Sequence, residues 1–178
     1  LLGIGLSIVL FINVVLDYEM KDKNYTLEEK TRYIASEFLQ VPSQKNVSKE
    51  ELNDITYYFS EDKKHFVEKF NTFLLTEKET FDRVLGKENL DHLMIEIHKD
   101  SKLLDENFLA PKDVAGLYQP LNTSLHLIPN EGTWENLFLH EYTHYRIHQY
   151  SQKRNLLLQR LPIWFQEGAA EFFGNEKI

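Results

Sequence analysis

Residues 140–144 read His-Glu-Tyr-Thr-His and lie inside a long stretch with helical spacing of apolar residues. Residues four apart on an α-helix project from the same face, so His140 and His144 are expected to present both imidazoles in one direction. Two histidines need this spacing to bind one zinc ion, with Glu141 beside the metal as a base. The pattern constrains the fold strongly, because the stretch must be helical and must face another source of ligands.

The helix that carries this pattern is predicted to run over about 133–151 and to be buried. Its apolar residues spread around nearly the whole circumference, which is typical of a helix inside a core. A buried carboxylate without a partner is costly, and a buried imidazole needs a hydrogen bond or a metal. The side chains of His140, Glu141 and His144 therefore require partners from another part of the chain.

A second apolar helix, predicted to begin near Pro162, carries Glu167 and Glu171 four residues apart. Two acidic residues on an apolar helix favour a nearby cation. Zinc bound by His140, His144 and Glu167 would satisfy the polar groups of both helices and leave a fourth position for water. Glu171 is then expected to accept a hydrogen bond from a ligand imidazole and to fix its tautomer.

The two segments, His140-Glu141-x-x-His144 and Trp164-Phe165-x-Glu167-Gly168-x-Ala170-Glu171, resemble the gluzincin metallopeptidases, the group that includes thermolysin and the zinc aminopeptidases. The resemblance covers about residues 92–174, and Gln166 departs mildly from the context of the glutamate ligand in that group. It implies that the chain is a zinc peptidase acting on a peptide or protein substrate. In that mechanism a zinc-bound water attacks the substrate and Glu141 accepts the proton of the water.

The expected fold class is α+β, with N-terminal helices, a small antiparallel or mixed sheet, and then the two helices described above. Capping-box patterns predict helices over 26–39 and from Ser48 onward. Helical spacing continues through Phe66 to Leu74, and a third short helix is predicted over 77–85.

Alternating apolar residues predict strands at 93–98, 116–118 and 124–128. The resemblance implies a sheet with an edge strand along the cleft, and the segment 124–128 is the candidate for it. Such a strand could pair with an extended peptide substrate. Small residues Gly168 and Ala169 are expected to let the two motif helices approach closely.

Residues 1–16 form an apolar run, and charges begin at Asp17. The run is predicted to be a truncated transmembrane anchor, with a secretion signal or a buried core helix as the alternatives. The expected organisation is this anchor, a helical region at 17–90, and a zincin-like catalytic domain at 91–178 that is truncated at its C-terminus. The catalytic domain is then expected to be membrane-anchored and to lie outside the cytoplasm.

Composition excludes some other classes of function. The net charge of -8 argues against a nucleic-acid partner, and the absence of cysteine excludes disulfides, thiolate zinc ligands and a cysteine nucleophile. The alternatives are a zinc-stabilised binding or sensory ectodomain that does not cleave, and an interaction domain with a chance motif. The non-cleaving alternative arises because the oxyanion donor has only candidates by residue type, Tyr118, Tyr145 and Tyr150.

Five further histidines lie outside the motif, at positions 65, 92, 98, 126 and 148. His148 extends the spacing of His140 and His144 by four residues and is expected to be polar or to support the site without binding metal. His92, His98 and His126 are predicted to lie on strands as ordinary surface or packing residues.

Overall fold

The structure is a computed structural model that describes Ala35, Leu39 and residues 41–87, 93–100, 115–156 and 161–175. These residues form an α+β fold with one small mixed sheet and three α-helices. The strands are β1 Ser48–Leu52, β2 Ile55–Phe59, β3 Leu93–Ile97, β4 Gly116–Gln119 and β5 Ser124–Leu127. The helices are α1 Lys64–Leu85, α2 Trp134–Lys153 and α3 Ile163–Asn175.

The sheet has the strand order β1-β2-β3-β5-β4. Strand β3 pairs in parallel with β2 and β5, whereas the β1–β2 and β4–β5 pairs are antiparallel. The prediction that the segment 124–128 is the edge strand is wrong, because β5 lies between β3 and β4. All four residues of β5 are buried, as expected of a central strand that is covered on both faces. On this side of the described sheet the last strand is β4.

The prediction of a helix that begins at Ser48 is wrong, because β1 and β2 form a hairpin there. Asn53 and Asp54 form its two-residue turn, with φ angles of 51° and 65°, and positive φ at both positions is the hallmark of a type I′ turn. In β2, alternate side chains are buried, and the strand pairs with β3. The sheet therefore crosses the predicted boundary between 17–90 and 91–178.

Helix α1 joins two segments that the sequence predicted separately, the apolar spacing through Leu74 and the short helix over 77–85. It is continuous from Lys64 to Leu85. Gly86 ends it with a φ of 81°, a conformation that glycine adopts without steric cost. The predicted helix over 26–39 lies outside the described residues, apart from Ala35 and Leu39.

The core lies between one face of the sheet and the helices α1 and α2. Aromatic rings connect the layers: Phe70 of α1 stacks on Phe138 of α2 with centroids 4.8 Å apart, and Phe81 stacks on Phe173 of α3 at 4.6 Å. Such pairs stabilise a core beyond the burial of their area. Helix α2 is buried along most of its length, as its all-round apolar pattern predicted.

Helix α3 is far less buried than the sequence predicted. Trp164 is 75% exposed, and Ile163, Phe165 and Phe172 are also exposed. Only Ala170, Phe173 and Gly174 are buried on this helix. The apolar composition of α3 therefore does not place its glutamates inside a core, because in the described structure the helix packs on α2 through one narrow face.

The prediction of a membrane-anchored protein is contradicted by the helices of the described structure. None of the helices in the described residues is long and apolar enough to cross a membrane. The prediction that the catalytic domain lies outside the cytoplasm depended on that anchor and therefore loses its basis. The run 1–16, on which the anchor was predicted, lies outside the described residues.

Arg146 links α2 to α1 from a buried position, with 1% of its surface exposed. Its Nη2 atom donates to Asp82 Oδ1 at 3.0 Å and to the carbonyl oxygen of Gly86 at 2.6 Å. The guanidinium also lies over the rings of Phe81 and Tyr142, at 5.6 and 5.8 Å from their centroids. This set of contacts fixes the end of α1 against the helix that carries the histidine motif.

Replacing Arg146 with methionine is expected to lower the free energy of unfolding by about 3 kcal/mol, because the Gly86 carbonyl and the partly buried Asp82 carboxylate each lose the guanidinium donor. The change would be measured by denaturant unfolding. The matched control is Arg154→Met at the exposed end of α2, for which a change within about 0.5 kcal/mol is expected. Equal destabilisation by both variants would contradict the role assigned to Arg146.

Candidate metal centre

The two histidines of the motif lie on one face of α2, as their spacing predicted. The Nε2 atoms of His140 and His144 are 3.3 Å apart. Their side chains are 23% and 15% exposed, so they are largely shielded but reachable from solvent. Burial lowers the pKa of His144 and outweighs the opposite effect of Glu167, which favours the neutral imidazole that a metal requires.

Helix α3 brings Glu167 to this histidine pair. Its Oε2 atom is 3.6 Å from His140 Nε2, and its Oε1 atom is 3.7 Å from His144 Nε2. One ligand atom from each of the three residues lies within 4.8 Å of the others. Glu167 itself is half exposed, with 54% of its side chain accessible, so the site opens at the surface of α3.

These separations can be compared with those around a zinc ion. Tetrahedral zinc with Zn–N and Zn–O bonds of about 2.0–2.1 Å holds its ligand atoms about 3.4 Å apart. The Nε2 atoms of His140 and His144 are 3.3 Å apart, and they lie 3.6 and 3.7 Å from Oε2 and Oε1 of the Glu167 carboxylate, respectively. The donor set and its spacing therefore fit one zinc ion with a fourth position left for water.

Glu171 lies beside the outer nitrogen of His140, where the sequence predicted a supporting acid. Its Oε1 atom is 3.6 Å from His140 Nδ1, and its Oε2 atom accepts a hydrogen bond from Asn175 Nδ2 at 2.6 Å. The separation from His140 is longer than a hydrogen bond. Glu171 is therefore placed to orient His140 through charge, with Asn175 restraining the carboxylate.

The close contact between α2 and α3 occurs at Gly174, one turn beyond the predicted small residues. A Cβ atom at Gly174 would lie 3.2 Å from the carbonyl oxygen of Asn136 and 3.5 Å from His140 Cβ. At Gly168 a Cβ would meet nothing within 4 Å. The prediction that Gly168 allows the close approach is therefore wrong, and the glycine that brings Glu167 and Glu171 near His140 is Gly174.

Glu141 is buried, with 6% of its surface exposed. Burial raises its pKa to about 8; the negative charge of Glu167 adds to the shift, and the backbone N–H of Tyr118 opposes it by donating to the carboxylate. A carboxyl group with a raised pKa is suited to accept and return a proton near neutral pH. A cation bound by His140 would favour the charged form of Glu141.

An open pocket of about 310 Å³ adjoins this part of α2. The residues lining it come from the start of β4, from α2 and from the end of α3: Ala115, Gly116, Asn136, Leu137, His140, Glu141, Glu171, Gly174 and Asn175. Its size lies at the lower end of the range for small-ligand sites. The pocket gives a substrate direct access to Glu141 and His140.

Strand β4 approaches Glu141 closely at Gly116, a contact that was not predicted from the sequence. A Cβ atom on Gly116 would lie 2.8 Å from Glu141 Cγ and 2.8 Å from Leu137 Cδ1. Only glycine fits such a distance without displacing a neighbour. The only sequence signal is a glycine at the start of a predicted strand, which often marks a close backbone approach.

Gly116→Ala is expected to lower kcat for peptide hydrolysis by about 100-fold, because the added methyl group displaces the Glu141 carboxylate. Zinc content should stay unchanged, since no ligand moves directly. The measurement is kcat together with metal analysis of the purified variant. Gly168→Ala is the matched control, because its Cβ would enter open space, and it should leave both values unchanged.

The three tyrosines considered as oxyanion donors make contacts elsewhere. The Tyr118 hydroxyl is 2.6 Å from His148 Nδ1, and the Tyr145 hydroxyl accepts a hydrogen bond from Gln149 Nε2 at 2.6 Å. The guanidinium of Arg154 lies over the Tyr150 ring, with its Cζ atom 3.6 Å from the ring centroid. His148 thus holds Tyr118 one helical turn beyond His144, which explains a polar residue at that position.

No protein-family model matches the chain, and neither a curated protein nor a solved structure matches it significantly. The geometry of this site is therefore the basis on which a function can be proposed.

Proposed function

We propose that this protein is a zinc-dependent peptidase of the gluzincin type. The observation that carries the proposal is the convergence of His140, His144 and Glu167 at the ligand separations of tetrahedral zinc, beside the buried carboxylate of Glu141. Metal ligands with a free fourth position and an adjacent base are the parts that hydrolysis by a metal-bound water requires.

In the proposed reaction His140, His144 and Glu167 would hold Zn²⁺, which would supply a water of lowered pKa and polarise the substrate carbonyl. Glu141 would accept the proton of the attacking water. Glu141 then returns the proton to the leaving amine as the carbon–nitrogen bond breaks. A cation held by His140, His144 and Glu167 would favour the charged form of Glu141, which is the form that accepts the proton.

The substrate is proposed to be an extended peptide that lies in the pocket between β4 and the two helices. Strand β4 is the last described strand on this side of the sheet, and it starts at Gly116, which lines the pocket beside Glu141. An extended peptide beside such a strand forms main-chain hydrogen bonds that do not depend on its sequence. This arrangement favours a peptide over a small ester or sugar substrate.

The second candidate is a zinc-stabilised binding or sensory domain that does not cleave. Tyr118 and Tyr145 are buried, and neither lines the pocket beside Glu141, which favours this candidate because an oxyanion donor has to reach the substrate in that pocket. It shares the metal site with the first proposal and differs from it in turnover.

The test is hydrolysis of a mixed peptide library by the purified protein, analysed by mass spectrometry. The expected result is cleavage that stops after removal of metal with a chelator and returns on addition of Zn²⁺. Metal-dependent binding of peptides without any cleavage would favour the second candidate. The absence of transition metal from the protein, with no change of thermal stability on chelation, would overturn both.

A further inference from the structure

A second cluster of potential metal ligands lies on the sheet, away from the histidine motif of α2. Glu96 on β3 and His126 on β5 are direct neighbours in the parallel register, and His98 follows Glu96 two positions along the chain. Side chains two residues apart in a strand point to the same face. Because Ile95, Ile97, Leu125 and Leu127 belong to the core cluster, the three polar residues occupy the opposite face of the sheet.

The three side chains are buried and converge closely. Glu96, His98 and His126 are 0%, 1% and 4% exposed. His98 Nε2 is 3.1 Å from His126 Nδ1, and His126 Nδ1 is 3.5 Å from Glu96 Oε2. One ligand atom of each residue lies within 4.8 Å of the others, as for His140, His144 and Glu167. The distances of 3.1 and 3.5 Å from His126 Nδ1 to the other two side chains are close to the ligand spacing of about 3.4 Å around tetrahedral zinc.

Hydrogen bonds around His126 fix which of its nitrogens carries the proton. Ser124 Oγ donates its hydrogen to Asn122 Oδ1 at 2.6 Å, so it can only accept from His126 Nε2, which is 2.9 Å away. The neutral His126 ring therefore carries its proton on Nε2. Its Nδ1 atom presents a lone pair toward Glu96 and His98, as in metal-binding histidines oriented by an outer hydrogen bond.

The Glu96 carboxylate is held by neutral donors. It accepts hydrogen bonds from the backbone N–H groups of Ser43 and Gln44 and from both of their side chains, at 2.9 to 3.1 Å. Among the described residues its only ion-pair partner is His126. His126 presents the lone pair of Nδ1 to this carboxylate because its proton is on Nε2, so it does not compensate the charge of Glu96. A buried negative charge without a matching cation favours binding of a positive ion.

We propose that Glu96, His98 and His126 form a second metal site, which binds Zn²⁺ or a similar divalent transition metal. Two imidazole nitrogens and one carboxylate oxygen are a donor set typical of zinc. The described residues supply three ligands, and water would complete the coordination of the metal. The proposal does not depend on the chain being a peptidase.

The proposed site has a structural role. It joins β3 to β5 and, through Glu96, to the segment at Ser43 and Gln44, so bound metal would stabilise the sheet. In the metal-free cluster one proton lies between His98 Nε2 and His126 Nδ1, since a hydrogen bond joins them at 3.1 Å. Metal binding through both nitrogens requires the His98 proton to move from Nε2 to Nδ1, so the ring changes tautomer and stays neutral.

The test uses the full chain carrying His144→Ala, which removes the candidate site on α2. This protein is expected to bind about one equivalent of Zn²⁺ and to melt at a higher temperature with Zn²⁺ than without it. The companion variant adds His98→Gln, whose amide nitrogen can keep the hydrogen bond to His126 but is a poor metal ligand. It is expected to melt at the same temperature with and without Zn²⁺.

Binding of no zinc by the His144→Ala protein would overturn the proposal, as would equal zinc binding with and without His98→Gln. The His144→Ala measurement alone decides the matter if the double variant fails to fold. Because no readout uses hydrolysis, failure of this proposal can be distinguished from failure of the proposed peptidase function.

Discussion

Replacing Glu141 with glutamine is expected to reduce peptide hydrolysis by about 10²–10⁴-fold, the contribution of a positioned general base. Glutamine keeps the shape of the side chain and cannot accept the proton of the attacking water. Zinc content should remain that of the wild type, because the proposed ligands are His140, His144 and Glu167. The measurements are kcat/KM for a cleaved library peptide and metal analysis of the purified variant.

The stability of the Glu141→Gln variant distinguishes a chemical role of Glu141 from a structural one. The Glu141 carboxyl is buried, and burial raises its pKa to about 8, so a neutral amide of the same size should not lower the free energy of unfolding. Glu135→Gln, on the first turn of the same helix, is the control and should retain full activity. Full activity of Glu141→Gln would refute the mechanism, and a destabilised variant would point to a structural role.

The helices that carry the candidate site could be predicted from sequence because their signals are local. The spacing of His140 and His144 and the apolar pattern around them identify α2, and the predicted start near Pro162 agrees with α3 beginning at Ile163. Glu167 could be proposed because a zinc site needs a further donor. The structure brings its carboxylate within 3.7 Å of both imidazoles, and the role in metal binding remains a prediction.

The hairpin of β1 and β2 was mistaken for a helix because two patterns coincide. Ser48 and Glu51 fit a capping box, and Leu52, Ile55 and Phe59 also fit helical spacing. The same residues fit a strand pair around the Asn53-Asp54 turn, and pairing of β2 with β3 decides between the alternatives. Long-range pairing of this kind is not visible in a local window of sequence.

The packing around the site could not be predicted for the same reason. Gly116 and Gly174 allow close contacts with α2, and these contacts depend on how β4 and α3 pack against that helix. The buried cluster of Glu96, His98 and His126 depends on β3 and β5 being parallel neighbours in one register. Each of these histidines looks ordinary alone, and only the register places their nitrogens beside one carboxylate.

Replacing His144 with alanine is expected to remove the metal from the candidate centre and to lower the zinc content by about one equivalent per chain. His140 and Glu167 would then remain as two ligands, too few to hold zinc in a site that is open to solvent. Hydrolysis should fall to the background of the assay, because Glu141 has no activated water to deprotonate. Metal analysis after gel filtration, together with the peptide assay, provides the measurement.

His148→Ala is the matched control for this variant, since it removes an imidazole from the same helix one turn further along. His148 bonds to the Tyr118 hydroxyl at 2.6 Å, so its loss is expected to cost about 1 kcal/mol of stability and no zinc. If His148→Ala loses zinc and His144→Ala retains it, the metal site lies one turn further along α2 than proposed. Unchanged zinc in both variants would exclude the site formed by His140, His144 and Glu167.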